Sequence, residues 1–136
     1  MRTEQKQKLA QLRHWRVRRK IRGTKERPRM SVRFTNENIY VQFIDDNAGT
    51  TLAAASTTSK SAPDRDKLAA NVASAKVIGK LAAESALAKG IKIVVFDRGG
   101  ARYHWSKGKG KDGKPVTVLG KLAALASAAR EAGLKF

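Results

Sequence analysis

The sequence predicts an α+β fold, with a mixed sheet packed by two helices and preceded by a basic N-terminal arm. Three observations support this. Short segments of alternating polar and apolar residues, joined by turn residues, indicate a three-stranded antiparallel meander. Two later segments have apolar residues at helical spacing, with one further strand between them. Basic residues are concentrated ahead of the first strand. The predicted order is βββαβα, with the arm at residues 1–28 and one globular domain at residues 29–136.

The arm is defined by its charge. Thirteen of the chain's 29 Lys and Arg residues fall within the first 35 positions, against two acids, Glu4 and Glu26. Residues 9–21 have helical spacing, but most residues between Arg13 and Arg22 are basic, and like-charge repulsion opposes a free helix. We therefore expect a helix over residues 9–21 that Gly23 ends and that is partly disordered until the arm binds a partner.

The meander follows directly. We predict strands at residues 30–34, 39–44 and, more weakly, 51–57, with turns at 35–38 and 45–49. Alternation divides their side chains between two faces. Those predicted to face the core are Val32, Phe34, Ile39, Val41 and Phe43. Those predicted on the opposite, polar face are Ser31, Arg33, Tyr40 and Gln42.

The second half alternates helix and strand. A helical pattern runs from Asp66 to Lys89, and Gly90 is suited to end it. Its predicted buried stripe is Leu68, Val72, Ala75, Gly79, Ala82 and Ala86. The apolar run at residues 91–96 predicts a strand buried on both faces, which can pair in parallel because a long crossover precedes it. Leu119 to Ala129 mark the second helix, which Gly133 ends, and the C-terminal Leu134 and Phe136 are expected to return to the core.

Composition excludes several classes of protein. The absence of Cys excludes disulfides, thiolate zinc sites and a cysteine nucleophile. No apolar run approaches the roughly 20 residues of a membrane span, and no apolar segment follows the N-terminal charges as in a secretory signal. An Arg-rich start also fits an organelle transit peptide, but the arm contains no Ser. We therefore expect a cytoplasmic protein. Its net charge of +18 indicates a polyanionic partner, above all nucleic acid.

Two phosphate-binding patterns occur in a Lys/Gly-rich segment. Residues 108–113 satisfy G-x-G-x-x-G, and residues 108–114 satisfy G-x-x-x-x-G-K. Neither lies between a strand and a helix, as phosphate binding at a helix N-terminus requires. Pro115 also occupies the position at which a P-loop needs Ser or Thr. A flexible basic loop, with or without RNA contacts, accounts for these residues better than nucleotide binding.

Asp97 is the one candidate for a catalytic group. It ends the apolar strand and precedes two glycines, where α/β enzymes place carboxylates. The alternative is that Asp97 caps a turn or pairs with Arg98 or Arg102. No second carboxylate, Ser–His pair or metal-ligand cluster lies nearby in the sequence, and the two histidines stand beside Arg and aromatic residues. We therefore expect no catalysis, no metal and no cofactor.

Aromatic residues near the basic groups have two interpretations. Trp15 either anchors the arm to the domain or stacks on a base. Tyr40 and Gln42 are either ordinary solvated strand residues or, with Arg33, part of a polar RNA-binding face. The sequence alone leaves both alternatives open.

Five segments resemble the L-eighteen family of bacterial large-subunit ribosomal proteins, in order and nearly over the whole chain. They are GTKERPRMSV (23–32), NIYVQFIDD (38–46), TLAAAST (51–57), GIKIVVFDRGG (90–100) and AAREAGLKF (128–136). The resemblance implies a structural protein that binds 5S rRNA and helps attach it to the large-subunit rRNA in the central protuberance. It implies as partners 5S rRNA, large-subunit rRNA and neighbouring ribosomal proteins, with no membrane and no small-molecule substrate. The alternative is a non-specific basic nucleic-acid-binding protein.

The resemblance also implies which residues contact RNA. In the arm these are Arg13, Arg16, Arg18, Arg19, Lys20, Arg22, Arg27 and Arg29, to which their chemistry adds His14, Trp15 and Lys25. On the meander they are Arg33, Asn36, Asn38, Tyr40 and Gln42. After the apolar strand they are Arg98, Gly99, Gly100, Arg102, Tyr103 and His104.

One segment departs from the family pattern. The family runs from Tyr-His through a Gly into the last helix, whereas here about fifteen residues, 105–119, intervene. We predict an extended loop or short hairpin with residues 116–118 as a strand-like limb, which makes an additional contact with rRNA or a neighbouring protein. Its candidate contacts are Lys107, Lys109 and Lys111.

Overall fold

The computed structural model describes residues 1–136 and confirms the α+β fold. Its elements, in chain order, are α1 (Thr3–Arg18), β1 (Arg29–Phe34), β2 (Ile39–Asp45), β3 (Thr50–Ser56), α2 (Val72–Ala88), β4 (Val95–Asp97), β5 (Trp105–Lys109), β6 (Pro115–Leu119) and α3 (Lys121–Glu131). The main sheet has the strand order β3-β2-β1-β4, and β5 and β6 form a separate hairpin. β4 pairs with β1 in parallel, as predicted, and the other pairs are antiparallel.

The core lies between one face of the main sheet and the helices α2 and α3. Alternation along β1 and β2 places Met30, Val32, Ile39, Val41 and Phe43 in this core, each at most 3% exposed. Small residues on α2 let the helices approach closely. A Cβ at Gly79 would collide with the backbone oxygen of Leu125 on α3. The predicted return of the C-terminus is confirmed, since Leu134 is buried and Phe136 stacks on Phe96 at 5.2 Å between ring centroids.

The arm helix differs from its predicted bounds. α1 begins at Thr3 instead of Leu9, because residues 3–8 are good helix formers and Glu4 lies favourably in the first turn. It ends at Arg18, so Gly23 does not end it. The Arg18 guanidinium instead donates to the backbone oxygen of Ile21 at 2.8 Å, which holds the chain as it leaves the helix. Disorder of the free arm stays a prediction, as does the domain boundary at residue 28.

α2 also begins later than predicted, at Val72 instead of Asp66. The side chain of Asn71 caps it by accepting a hydrogen bond from Ser74 N at 2.8 Å. Residues 65–67 form a separate short 3₁₀ turn. Leu68 therefore precedes the helix and Val72 is 36% exposed, whereas the rest of the predicted stripe is buried.

The apolar run at residues 91–96 is not a strand buried on both faces. β4 covers only Val95–Asp97 and lies at the edge of the sheet. Residues 92–94 pair instead with the C-terminus, where Val94 N donates to Lys135 O and Lys135 N donates to Lys92 O, both at 3.0 Å. Ile93 is consequently 48% exposed. The segment at 105–119 forms the short hairpin that was one of the two predicted alternatives.

Candidate nucleic-acid interface

A network of charged side chains joins the arm, the sheet and the glycine turn (residues 98–100). Arg29 on β1 lies at its centre and is only 8% exposed. Its Nε and Nη2 donate to the carboxylate of Asp46 at 3.0 and 3.1 Å, and its Nη1 donates to Asp97 Oδ2 at 2.8 Å. The planar guanidinium therefore bridges the turn after β2 and the end of β4.

Asp46 extends this network to the arm. Its carboxylate also accepts hydrogen bonds from Arg18 Nη2 at 3.2 Å and from Gly23 N at 2.7 Å. Gly23 is buried, and a Cβ there would meet the backbone nitrogen of Arg29 at 2.5 Å. Only glycine lets the arm pass this close to β1. The exit of the arm from the sheet is thus fixed by backbone contact as well as by charge.

Hydrogen bonding sets the electrostatics of the network. The hydrogen bond from Arg29 lowers the pKa of Asp46 against the opposing effect of burial, and with the Gly23 N–H brings it to about 2. Burial opposes the charge on Arg29, but its hydrogen bonds to Asp46 and Asp97 outweigh burial and raise the pKa of the guanidinium. Both groups are charged at neutral pH. Arg29 was a predicted RNA contact, but its donors face carboxylates inside the protein, so it lies outside the surface proposed below.

Asp97 caps the glycine turn, as one of the two sequence interpretations predicted. It is fully buried, and its Oδ1 accepts a hydrogen bond from Gly99 N at 2.8 Å while its Oδ2 binds Arg29. The arginine that pairs with it is Arg29, not Arg98 or Arg102 as predicted. With both oxygens engaged, Asp97 holds the conformation of the turn.

The glycine turn packs against the arm helix. Gly99 and Gly100 have φ angles of +60° and +81°, which side chains rarely allow. A Cβ on Gly100 would lie 3.5 Å from both the Cβ of Arg13 and the backbone nitrogen of His14. The two glycines therefore make the sharp turn and also admit the backbone of α1.

One cleft of about 680 Å³ lies where the arm helix, β1 and the glycine turn meet. Five of the predicted RNA contacts line it, namely His14, Trp15, Arg33, Arg98 and Gly99. Trp15 is 55% exposed here, so it is not buried as an anchor for the arm. The structure thus brings together residues from three separate segments of the chain around one opening.

The outer face of the sheet continues from this cleft. The register places Arg33 opposite Tyr40 and Ser31 opposite Gln42, and Tyr40 is also opposite Ser56 on β3. Tyr40 and Gln42 line a shallow depression of about 280 Å³. The polar face predicted from alternation is therefore present and continuous over three strands.

Other predicted contacts lie outside the cleft. Arg16, Arg19, Lys20, Arg22, Arg27, Asn36, Arg102 and His104 are exposed away from its lining. The half-buried Asn38 uses its side-chain oxygen to accept from Thr57 Oγ1 at 2.8 Å. The Tyr103 hydroxyl accepts from Arg130 Nη1 at 3.3 Å, and Lys25 lines a separate pocket with Lys89. Lys107, Lys109 and Lys111 lie on the hairpin.

Sequence reasoning missed Asp46 and Gln11. Asp46 was interpreted only as part of a turn, although two adjacent acids in so basic a half of the chain were a signal of ion pairing. Gln11 lines the cleft one helical turn before Trp15. Its spacing from Trp15 on a helix places both on one face, and that was the available signal.

Comparison with known proteins identifies the family. The sequence profile described as ribosomal L18 of archaea, bacteria, mitochondria and chloroplasts matches residues 4–109. The chain belongs to the ribosomal L18 family. It is 52% identical to the large ribosomal subunit protein uL18 of Lactobacillus delbrueckii subsp. bulgaricus, 50% identical to that of Lactococcus lactis subsp. lactis and 47% identical to that of Petrotoga mobilis. Each alignment covers 131 residues, which is 96% of this chain and 95% of the relative.

Membership of the ribosomal L18 family confirms the resemblance found in the five sequence segments. It is a family of ribosomal proteins, and its profile covers the arm, the meander and the glycine turn, all of which surround the cleft. No three His, Asp or Glu side chains converge as a metal ion would require. None of the three helices combines the length and apolar character needed to cross a membrane.

Proposed function

We propose that the chain is a non-catalytic component of the large ribosomal subunit that binds 5S rRNA and helps attach it to large-subunit rRNA in the central protuberance. The cleft supports this most directly, because cationic and aromatic side chains from three segments converge there on the same opening. Bacterial relatives of near-equal length are named as large-subunit proteins, which favours the same cytoplasmic assembly for this chain.

Charge supplies the affinity in this proposal. The exposed cations of the arm, including Arg13, Arg16, Arg19, Lys20 and Arg22, have no carboxylate partner and can neutralise phosphates. Arg33 and Arg98 extend the cationic surface to the walls of the cleft. Counterion release on binding then gives an affinity that falls steeply as salt increases.

The cleft provides the groups that would contact a folded RNA at defined positions. Arg33 on β1 and Arg98 of the glycine turn are exposed and line the cleft. Their guanidinium groups suit phosphate oxygens. Trp15 and His14 offer ring faces on which an unpaired base can stack. Phosphate contacts and base stacking within one cleft favour a folded RNA over an extended duplex.

The buried network positions this surface. Asp46 holds Arg18 and Gly23 of the arm, and Arg29 carries the connection to Asp97 and the glycine turn. None of these contacts uses a group that faces the cleft. The end of the arm and the glycine turn are therefore joined to the same network, which lowers the cost of ordering the arm on RNA.

Competition binding tests the proposal. Purified chain is titrated with labelled 5S rRNA in the presence of an unrelated structured RNA of equal length or of genomic DNA. We expect 5S rRNA to be retained against excess of either competitor. Equal competition by all three would instead identify a non-specific basic nucleic-acid-binding protein.

Two charge-matched variants sharpen the test. Arg33→Gln/Arg98→Gln removes two cations from the cleft, and Lys76→Gln/Lys80→Gln removes two exposed cations from α2, on the other side of the sheet. We expect the first variant to weaken 5S rRNA binding by about 100-fold or more, at roughly 1.5 kcal/mol per hydrogen bond to a charged group, and the second to change it little. Equal losses in both would show that only net charge matters.

A further inference from the structure

The hairpin β5–β6 touches the core only at its base, where Leu119 packs against it. It forms its own two-stranded sheet, separate from the main sheet. Its base is fixed, because Gly120 N donates to His104 O at 2.8 Å and Lys121, the first residue of α3, lies over the Phe34 ring at 5.6 Å. Every residue from 111 to 118 is exposed. An isolated hairpin is only marginally stable in water, so this one suits a surface completed by a partner.

The register gives the hairpin two unlike faces. Trp105 pairs with Leu119, Lys107 with Thr117 and Lys109 with Pro115, so these residues share one face, called here the lysine face. Ser106 pairs with Val118 and Gly108 with Val116 on the other face, called here the valine face. Trp105 is 54% exposed at the base of the lysine face. Lys111 and Lys114 add charge at the tip, where Asp112 is the only acid.

We propose that the lysine face binds an unpaired stretch of RNA, as a second contact separate from the cleft. This rests on the proposed function only in placing the chain against ribosomal RNA. Lys107 and Lys109 are about 6.8 Å apart along the strand, comparable to the distance between successive phosphates of a nucleic-acid chain. Trp105, in line with them, offers an exposed ring on which a base can stack. A base is free to stack only where the RNA is unpaired.

The hairpin is poorly suited to a protein partner. A strand of five residues is roughly 17 Å long and two strands are roughly 10 Å wide, so one face offers roughly 170 Å². A stable protein interface buries about 800 Å² on each partner. The valine face has just two apolar side chains, Val116 and Val118, and the lysine face has no carboxylate. A few phosphate contacts and one stacked base need far less area.

Site-directed cross-linking tests this assignment, and the absence of native Cys makes it clean. Single cysteines are introduced as Thr117→Cys on the lysine face, Ser106→Cys on the valine face and Gln11→Cys in the cleft. All three positions are exposed, so the fold should tolerate them. A photoactivatable group is attached to each purified variant chain, the labelled chain is assembled into large subunits, and RNA adducts are mapped by primer extension.

We expect RNA adducts from Thr117→Cys and several-fold fewer from Ser106→Cys. The mapped position shows whether the cross-linked RNA is 5S rRNA or large-subunit rRNA, and either RNA supports the proposal. Adducts from Thr117→Cys to protein alone, or equal RNA adducts from both faces, would overturn it. Adducts from Gln11→Cys report separately on 5S rRNA in the cleft, so failure of the proposed function is distinguished from failure of this one.

Removal of the two lysines gives an independent measurement. With the RNA segment mapped from Thr117→Cys as the probe, Lys107→Gln/Lys109→Gln should reduce the slope of log affinity against log salt by about 1.4, at about 0.7 per single-strand phosphate contact. Trp105→Ala should weaken binding roughly 5- to 150-fold, the range for loss of one stacked base. Val116→Thr/Val118→Thr preserves strand propensity and should change neither quantity. Loss of binding in this control alone would overturn the assignment to the lysine face.

Discussion

Replacing Asp46 with asparagine removes the charge at the centre of the network that joins the arm, the sheet and the glycine turn. Asn retains the size of the side chain but can accept with one oxygen only, whereas the carboxylate of Asp46 accepts from Arg29, Arg18 and Gly23. Arg29 keeps its hydrogen bond to Asp97. The substitution therefore loosens the connection to the arm without leaving Arg29 wholly unpaired.

The pKa of Asp46 gives the magnitude. Its value falls from 3.8 to about 2 on folding, chiefly through the hydrogen bond from Arg29. At about 1.36 kcal/mol for each pKa unit, the ionised carboxylate stabilises the fold by about 2 kcal/mol at neutral pH. The Asp46 side chain is 14% exposed, so screening by solvent removes little of this. With an unfolding entropy of about 2.1 cal/mol/K per residue, Asp46→Asn should lower the melting temperature by roughly 7 °C.

The pH dependence has a definite sign. A carboxyl group with a lowered pKa stabilises the folded state above its unfolded pKa, and this stabilisation is lost as pH falls through the folded value. Urea unfolding of the native chain and of Asp46→Asn should therefore differ by about 2 kcal/mol at pH values above about 4. The difference should disappear between about pH 4 and about pH 2.

Glu84→Gln is the matched control, because it removes one negative charge from an exposed i,i+4 pair with Lys80 at 4.0 Å. Such pairs contribute about 0.3–0.5 kcal/mol. Both variants raise the net charge equally, so weaker 5S rRNA binding by Asp46→Asn than by Glu84→Gln reports on the geometry of the arm. If the two variants lose equal stability, or if the stability difference persists at low pH, the network does not hold the arm as described.

Two further substitutions test packing and the cleft. Gly79→Ala should destabilise the fold by about 1–3 kcal/mol in thermal unfolding, because the new methyl group meets Leu125 O and lies 3.2 Å from the Cβ of Ala128. Alanine normally stabilises a helix relative to glycine by about 1 kcal/mol, so a stabilised variant would contradict the close approach of α2 and α3. Trp15→Ala should leave stability within about 0.5 kcal/mol of the native chain and weaken 5S rRNA binding by about 1–3 kcal/mol. The reverse pattern would make Trp15 an anchor.

The strands were predictable because their signals are local. Residues 30–57 alternate with period two and are joined by short polar turns, so their positions and faces follow from neighbours in sequence. The burial of residues 91–96 was not predictable in this way. It depends on β4 lying at the sheet edge and on pairing with Lys135, more than forty residues away. The predicted start of α2 at Asp66 was wrong for a more local reason. Asn71 caps the helix, although the helical pattern of the sequence continues before it.

The candidate site was likewise predictable only where its signals are local. Its cations and glycines could be identified from the sequence, because residue type and spacing are enough to recognise them. The cleft could not, since it needs His14, Arg33 and Arg98 to meet across the fold. The same holds for Arg29, whose carboxylate partners lie 17 and 68 residues away. A buried arginine and a phosphate-binding arginine look alike in a basic segment, and only the tertiary contacts separate them.

The most direct test of the central claim is the affinity of 5S rRNA for the full chain and for residues 23–136, measured across salt concentration. The full chain, with roughly 6–10 phosphate contacts, should lose about 10³–10⁵ in affinity between about 50 and 200 mM salt. The truncated chain should bind far more weakly at low salt and with a much smaller slope, while its circular dichroism still shows a folded domain. Equal affinity and equal slope for the two chains would contradict the claim that the arm, the sheet and the glycine turn bind RNA as one surface.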